Sequence, residues 1–274
     1  MQPLDTLTAD ACSGLGAVLC DIDDTVTTDG RLAAAAYTAL EQLQAAGLLV
    51  VPVTGRPAGW CDLIARLWPV DGVVCENGAF AYRYDHAARR MRRSYAQPAD
   101  VRRINRERLD RLAGDILTAV PGAALSADQP FRIADLAIDF REDVAPLPPA
   151  AIDDIVRMFE AAGATAKVSS IHVNGWFGDY DKLNMARRLL ADELGIDQAA
   201  QDRTVLFVGD SPNDAPMFEA FPLSVGVANV RDHADRIRHQ PAFVTTARSG
   251  QGFIELVRHI IGARGGNTAI ERPR

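Results

Sequence analysis

Cysteine is scarce in this chain and scattered where it occurs. Cys12, Cys20, Cys61 and Cys75 form no CxxC pair and have no histidine at zinc-finger spacing, which argues against a structural zinc module. Cys20 and Cys75 lie inside apolar runs, so reduced, mostly buried thiols are expected. The N-terminus lacks a basic segment followed by an apolar core, and no run approaches the roughly eighteen apolar residues of a membrane span. A cytoplasmic protein with no membrane partner is the expectation. Positive charge is not in excess either: 29 Lys and Arg stand against 36 Asp and Glu, a formal charge of -7. That balance argues against a nucleic-acid coat or an anionic-membrane binder. There is no internal repeat and no low-complexity linker. The 274 residues can hold one large or two moderate domains, and two are expected.

One stretch stands out. In Val18-Leu19-Cys20-Asp21-Ile22-Asp23-Asp24-Thr25-Val26 an apolar run breaks into three carboxylates and a threonine. Ala17 to Leu19 read as a buried parallel strand, and residues at the end of such a strand face the crevice where open α/β folds place their ligands. A turn after Asp23 lets Asp21 and Asp23 converge on one point. A carboxylate nucleophile makes an acyl-phosphate, and a second acid can protonate the leaving oxygen and later deprotonate water. Crowded carboxylates repel, so they call for a hard cation such as Mg²⁺. A helix N-cap or an Asx turn is the plainer reading of the triplet alone.

The rest of the chain repeats the pattern. Leu32, Ala35, Ala36, Ala39, Leu40 and Leu43 recur at helical spacing and Gly47 closes the helix. Leu48 to Val53 form a second strand ending in Thr54-Gly55-Arg56-Pro57. A helix over 58–67 and a third run, Gly72 to Cys75, end in Glu76-Asn77-Gly78. Then strict alternation stops. Hairpin strands are expected over 79–83 and 91–95, an Arg-rich helix over 100–120, an alternating strand from Ile133 to Phe140, a helix over 151–162, and one or two strands from Ala166 to Val173. The helical period resumes after Asp181-Lys182. A fourth strand, Thr204 to Val208, ends in Gly209-Asp210-Ser211-Pro212-Asn213-Asp214, and short runs over 223–227 and 242–245 precede a helix over 252–261. Residues 1–16 read as a leader into the first strand, and the tail after Gly262 is expected to be disordered.

Four strand ends thus converge, and each has a part in phosphoryl transfer. Thr54 and Lys182 can donate to the transferring group. Asp210 can complete a Mg²⁺ site with Asp21 and the backbone carbonyl of Asp23, while Asp214 binds the metal or orients its waters. Taken in order, Asp21-x-Asp23-x-Thr25, Thr54, Lys182 and Gly209-Asp210-x-x-Asn213-Asp214 resemble the four motifs of the haloacid dehalogenase-like hydrolase superfamily. The second Asp, the large insertion between the second and third motifs, and Glu76-Asn77-Gly78 are similar to subclass IIB, the Cof-type and sucrose-phosphate phosphatase-like enzymes. Asp24 and Leu183 depart from the pattern, which commonly has glycine at both places.

The resemblance implies a Rossmann-like α/β core with a parallel sheet, formed by residues 1–82 and 178–274, and an inserted α+β cap domain over residues 83–177. It implies a Mg²⁺-dependent phosphatase acting on a small phosphorylated metabolite, with a sugar phosphate expected. Asp21 is then the nucleophile and Asp23 the acid and base. Thr54, Gly55, Lys182 and Asn213 hold the phosphoryl group, and Asp21, Asp23, Asp210 and Asp214 hold the metal. Asn77, His172, Asn174 and Trp176 are candidates for substrate contact, with Trp176 covering a sugar ring; packing or solvation of the cap sheet is the plainer reading. The ten arginines against four acids between Arg83 and Arg111 read as a solvated face, with attraction of a phosphorylated substrate the alternative. A phosphomutase of the same superfamily and a catalytically idle binding protein are the rivals, and a monomer or small homo-oligomer is expected.

Overall fold

In the computed structural model, described over residues 1–169 and 171–265, six parallel strands form a sheet. Their order is Gln2–Pro3, Phe243–Val244, Leu223–Gly226, Val205–Gly209, Ala17–Cys20, Leu49–Pro52. Alternation along the buried central strand splits the core in two. Val18 and Cys20 face the helices Ala34–Ala45, Ala58–Leu67 and Ser249–Ala263, whereas Ala17 and Leu19 face Lys182–Asp192 and Ala215–Ala220. From the central strand the chain steps first to one side and, after the insertion, to the other. Asp21 and Asp210 therefore stand at the switch point of the sheet, where the crevice opens.

A second, antiparallel sheet runs Ala124–Leu125, Leu136–Asp139, His172–Trp176, Thr165–Val168. The helices Ala99–Ala119 and Pro149–Ala161 cover it, packing Leu109, Ile116, Ile155 and Phe159 against Leu136, Ile138 and Val173. Between the two sheets, Val73–Cys75 pairs with the hairpin Phe80–Asp85 and Arg90–Tyr95. Phe80 and Tyr82 of that hairpin pack into the first core, and the separate apolar cluster of the insert begins at Leu109.

Several elements differ from expectation for local reasons. Residues 1–16 are built into the fold: Gln2–Pro3 edges the sheet and Thr8 caps a short helix, Ala9–Ser13. Both pieces are too short to show a period. Only Leu136–Asp139 of the stretch from Ile133 to Phe140 is strand, because the backbone N–H groups of Ile133, Ala134 and Asp135 are taken by the Glu76 carboxylate. A helix at Gln198–Thr204 adds to the expected set. The final helix continues to Ala263, and Arg264 donates to the carbonyls of Cys12, Ser13 and Leu15; the rest of the expected disordered tail, 266–274, lies outside the described residues.

Candidate active site

Asp21 directly follows the central strand and its N–H still donates to the Val208 carbonyl. Lys182 opens its helix, which Asp181 caps by accepting the Asn184 N–H. Its ammonium lies 2.6 Å from Asp21 Oδ1 and 2.9 Å from Asp214 Oδ1. Asp210 accepts the Thr25 hydroxyl at 2.9 Å and the Asn229 amide at 3.1 Å. Asp214 folds back over its own strand end, accepting the Asp210 N–H at 3.1 Å. Gly209 makes that possible, since a Cβ there would meet Asp214 Oδ2 at 2.5 Å. Gly78, at φ 100°, likewise lets the Glu76-Asn77-Gly78 turn pass the carbonyl of Asp181, next to Lys182.

Asp21, Asp210 and Asp214 each bring an oxygen within 4.8 Å of the other two. Three buried carboxylates against the one Lys182 ammonium leave an uncompensated negative charge, and an all-oxygen set with that charge fits a hard divalent cation. The electrostatics agree. Burial above all, then Asp214 and Asp23, push the Asp21 carboxyl up to about 8 against the pull of Lys182. Asp210 is raised well above the carboxylate range, by burial first and then by Asp21 and Asp214. Burial alone would lower the Lys182 ammonium, but Asp21 and Asp214 outweigh it and raise it.

The turn expected after Asp23 is present: Asp24 adopts φ 57°, a conformation that glycine takes most easily, and its N–H donates to the Thr27 hydroxyl. Asp23 is thereby set apart from the acid triad. Arg56 clamps it, with Nε at 3.0 and 3.1 Å from its two oxygens and Nη2 at 2.8 Å. Thr54 is fully buried and accepts the Arg56 N–H at 3.0 Å. Arg56 is a site residue that the sequence reading passed over although it directly follows Thr54-Gly55.

Asp21, Asp23, Arg56 and Asp210 border a cavity of about 40 Å³ between the sheet edge and the insert, while Thr54, Lys182 and Asp214 lie behind its wall. Asp21, Asp23, Gly55, Asp210 and Asn213 form the core wall, and Asn77, Arg132, Ser169, His172 and Asn174 face them. Trp176 does not reach the cavity. It shares a strand face with His172 and Asn174, but that face runs into the first core, where Trp176 is 2% exposed and stacked on Tyr180 at 5.9 Å. The expected sugar platform is thus a packing residue. None of the ten arginines from Arg83 to Arg111 lines the cavity; Arg83 and Arg92 pair with Glu193, Arg103 with Glu107 and Arg106 with Asp110.

Two further residues escape the sequence reading. Arg132 ties the insert to the core: it donates to the Gly55 carbonyl at 2.9 Å and pairs with Asp128 at 2.8 Å and Asp135 at 3.0 Å. Glu76 accepts the backbone N–H groups of Ala58 in the core and of Ile133, Ala134 and Asp135 in the insert, at 2.7–3.1 Å. Burial first, then Asp135, push its carboxyl up to about 8, opposed by Arg132 and those donors. Glu76-Asn77-Gly78 signals a polar turn, but nothing in the sequence says that its partners lie 57–59 residues on.

A family profile described as haloacid dehalogenase-like hydrolase matches residues 18–111, from the central strand into the insert's first helix. That match spans about a third of the chain and is a similarity to these hydrolases; the acid triad has the chemistry to hold a hard divalent cation such as Mg²⁺. The chain is similar to the phosphoglycolate phosphatase of Methanothermobacter thermautotrophicus, 27% identical over 256 residues, which are 90% of this chain and 99% of that one. The phosphoglycolate phosphatase of Methanopyrus kandleri is 25% identical over 253 residues, 89% and 96% of the two chains. Among solved structures, Thermoplasma acidophilum protein 0175 superposes with a TM-score of 0.67 at 18% identity, covering 90% of this chain and 98% of its own. The sucrose-phosphatase of Synechocystis does so with 0.61 at 16%, covering 89% and 97%. At such identities the last two establish a common fold.

Proposed function

We propose that this chain is a Mg²⁺-dependent phosphatase that hydrolyses the phosphate ester of a small metabolite through an aspartyl-phosphate at Asp21. The observation that carries this reading is the placement of Asp21 at the switch point of the sheet, 2.6 Å from Lys182 and within the acid triad. When bound, Mg²⁺ neutralises phosphoryl oxygens and repulsion among the acids. An Asp21 oxygen attacks phosphorus, the ester P–O bond breaks, and the leaving oxygen takes a proton from Asp23. Water then attacks the aspartyl-phosphate, gives its proton back to Asp23 and restores Asp21. Thr54, Gly55, Asn213 and Lys182 surround the transferring group, and Arg56 fixes Asp23 in place.

Residues 83–177 serve, in this proposal, as the unit that selects the leaving group, set on a core of 1–82 and 178–274. Most of the selection falls to the part that carries Arg132, His172 and Asn174. The relatives named above are phosphatases of phosphoglycolate and of a sugar phosphate, and a substrate of that size class is proposed here. The inner cavity of about 40 Å³ holds roughly three water-sized groups and adjoins an outer cleft of about 860 Å³, so in this proposal the phosphoryl end sits inside and the leaving group extends toward the cleft. Four free, buried cysteines support the proposal of a cytoplasmic, reducing setting. Phosphate release from phosphorylated sugars, sugar acids and short acids, with Mg²⁺ and with chelator, tests the reading. Silence, with isomerisation of a sugar phosphate when a bisphosphate is added, would favour a mutase instead.

A further inference from the structure

Three acids share Arg56 with unequal grip. Asp23 holds Nε and Nη2 at 2.8–3.1 Å. Asp128 stands 3.6 Å from Nη1 and is itself fixed by Arg132. Glu142 touches Nη1 and Nη2 only at 3.4 Å, longer than an ordinary N–H···O bond, and its side chain is 32% exposed against 9% for Asp128. On its other side, Glu142 Oε2 lies 2.8 Å from Nε2 of His172. That nitrogen is buried and makes no well-directed hydrogen bond among the described residues. A half-exposed carboxylate is therefore framed by a buried guanidinium and a buried imidazole.

Its position is also a junction. An outer cleft of about 860 Å³ is lined by Glu142 and shares Asp23, Arg56, Ser169 and Ile171 with the inner cavity. The backbone beneath Glu142 is fixed, because Asp139 accepts the N–H groups of Arg141, Glu142 and Asp143 at 2.8 Å each. Glu142 lines only the outer cleft, so with its backbone fixed only its side chain has to turn to free the Arg56 guanidinium on that side.

We infer that Glu142 is a built-in stand-in for the substrate: its carboxylate occupies, between Arg56 and His172, the place of an anionic group on the leaving half of the phosphate ester. This rests on the phosphatase reading and names the substrate class as phosphorylated carboxylic acids. The other cations of the site are committed, Lys182 to Asp21 and Asp214, and Arg132 to Asp128 and Asp135. Arg56 with His172 is the pair whose present partner, Glu142, reaches the guanidinium only at 3.4 Å and stands 32% exposed, whereas Asp23 is held by the same guanidinium at 2.8–3.1 Å. Exchange of one carboxylate for another keeps the charge balance and satisfies His172 Nε2. A neutral hydroxyl arriving there would displace an anion without replacing it.

Glu142→Gln tests the inference. Its kcat/KM for 2-phosphoglycolate relative to glycerol 3-phosphate should rise about five- to tenfold, through KM, because the competing anion is gone. An unchanged ratio, or a KM raised equally for both esters, would make Glu142 a plain latch and overturn the inference. A KM raised only for the glycerol ester would make it a hydroxyl reader and overturn it too. Calorimetric titration of glycolate without Mg²⁺ separates the two claims. Tighter binding to Glu142→Gln than to the wild type, lost again in the Glu142→Gln/His172→Ala double variant, supports the anion position even if no ester is hydrolysed. Unaltered glycolate affinity in an active phosphatase overturns the inference alone.

Discussion

Lys182 Nζ bridges Asp21 Oδ1 at 2.6 Å and Asp214 Oδ1 at 2.9 Å, across 161 and 32 residues of sequence. One ammonium thus holds the proposed nucleophile and a proposed metal ligand in fixed relation. Asp21→Asn keeps a group of the same shape but removes the attacking charge. Turnover should fall at least about a thousandfold, with the circular dichroism spectrum unchanged. A variant that retains a tenth of the wild-type rate with Mg²⁺ would remove Asp21 from the nucleophile role.

The task proposed for Asp23 is a different one, and the quality of the leaving group exposes it. Asp23→Asn should cost about 10²–10⁴-fold on an alkyl phosphate, where the leaving oxygen needs a proton. The loss in the first step should be much smaller on p-nitrophenyl phosphate, whose phenolate departs unaided. Equal losses on both esters in single-turnover measurements would contradict the acid role.

Glu76 links core and insert through N–H bonds to one carboxylate, which accepts on both oxygens. Glu76→Gln places an amide NH₂ against those donors, and unfolding in urea should show a loss of about 2–4 kcal/mol. A stability within experimental error of the wild type would mean that the ties made by Arg132, Arg56 and Asn77 suffice to hold the insert.

The metal-free protein should become less stable as pH rises. Asp21 titrates near 8 in the fold and at about 4 when unfolded, so between these values the native state binds more protons than the unfolded one. Stability then falls across that window, and the effect is complete above pH 8. A bound Mg²⁺ would offset both the cost of burying the Asp21 charge and its repulsion by Asp214 and Asp23, so the gain in Tm on adding Mg²⁺ should grow from pH 5.5 to pH 8. A gain that shrinks with pH would contradict the assignment of Asp21 to the metal site.

The core acids are legible in the sequence because a buried parallel strand has one C-terminal end, and Asp21, Thr54 and Asp210 each follow such a run. Lys182 becomes legible only as a member of that ordered set. Arg56 is hidden for a different reason: its partner Asp23 lies 33 residues away, and only the pairing of Ala17–Cys20 with Leu49–Pro52 brings them together. Glu142 and Arg132 sit in non-periodic stretches of the insert, whose docking on the core no local pattern encodes. Trp176 shows the converse limit. Alternation places it on the face of His172 and Asn174, but not at which point along the strand the cavity gives way to core.

The covalent intermediate is the center of the mechanism and can be trapped. A reaction of the wild-type protein with a phosphate ester and Mg²⁺, quenched in acid within milliseconds and digested, should yield a phosphorylated peptide carrying Asp21, absent when chelator replaces Mg²⁺ and absent in Asp21→Asn. Turnover with no phosphorylated peptide, or a phosphoryl group on Asp23 instead, would contradict it.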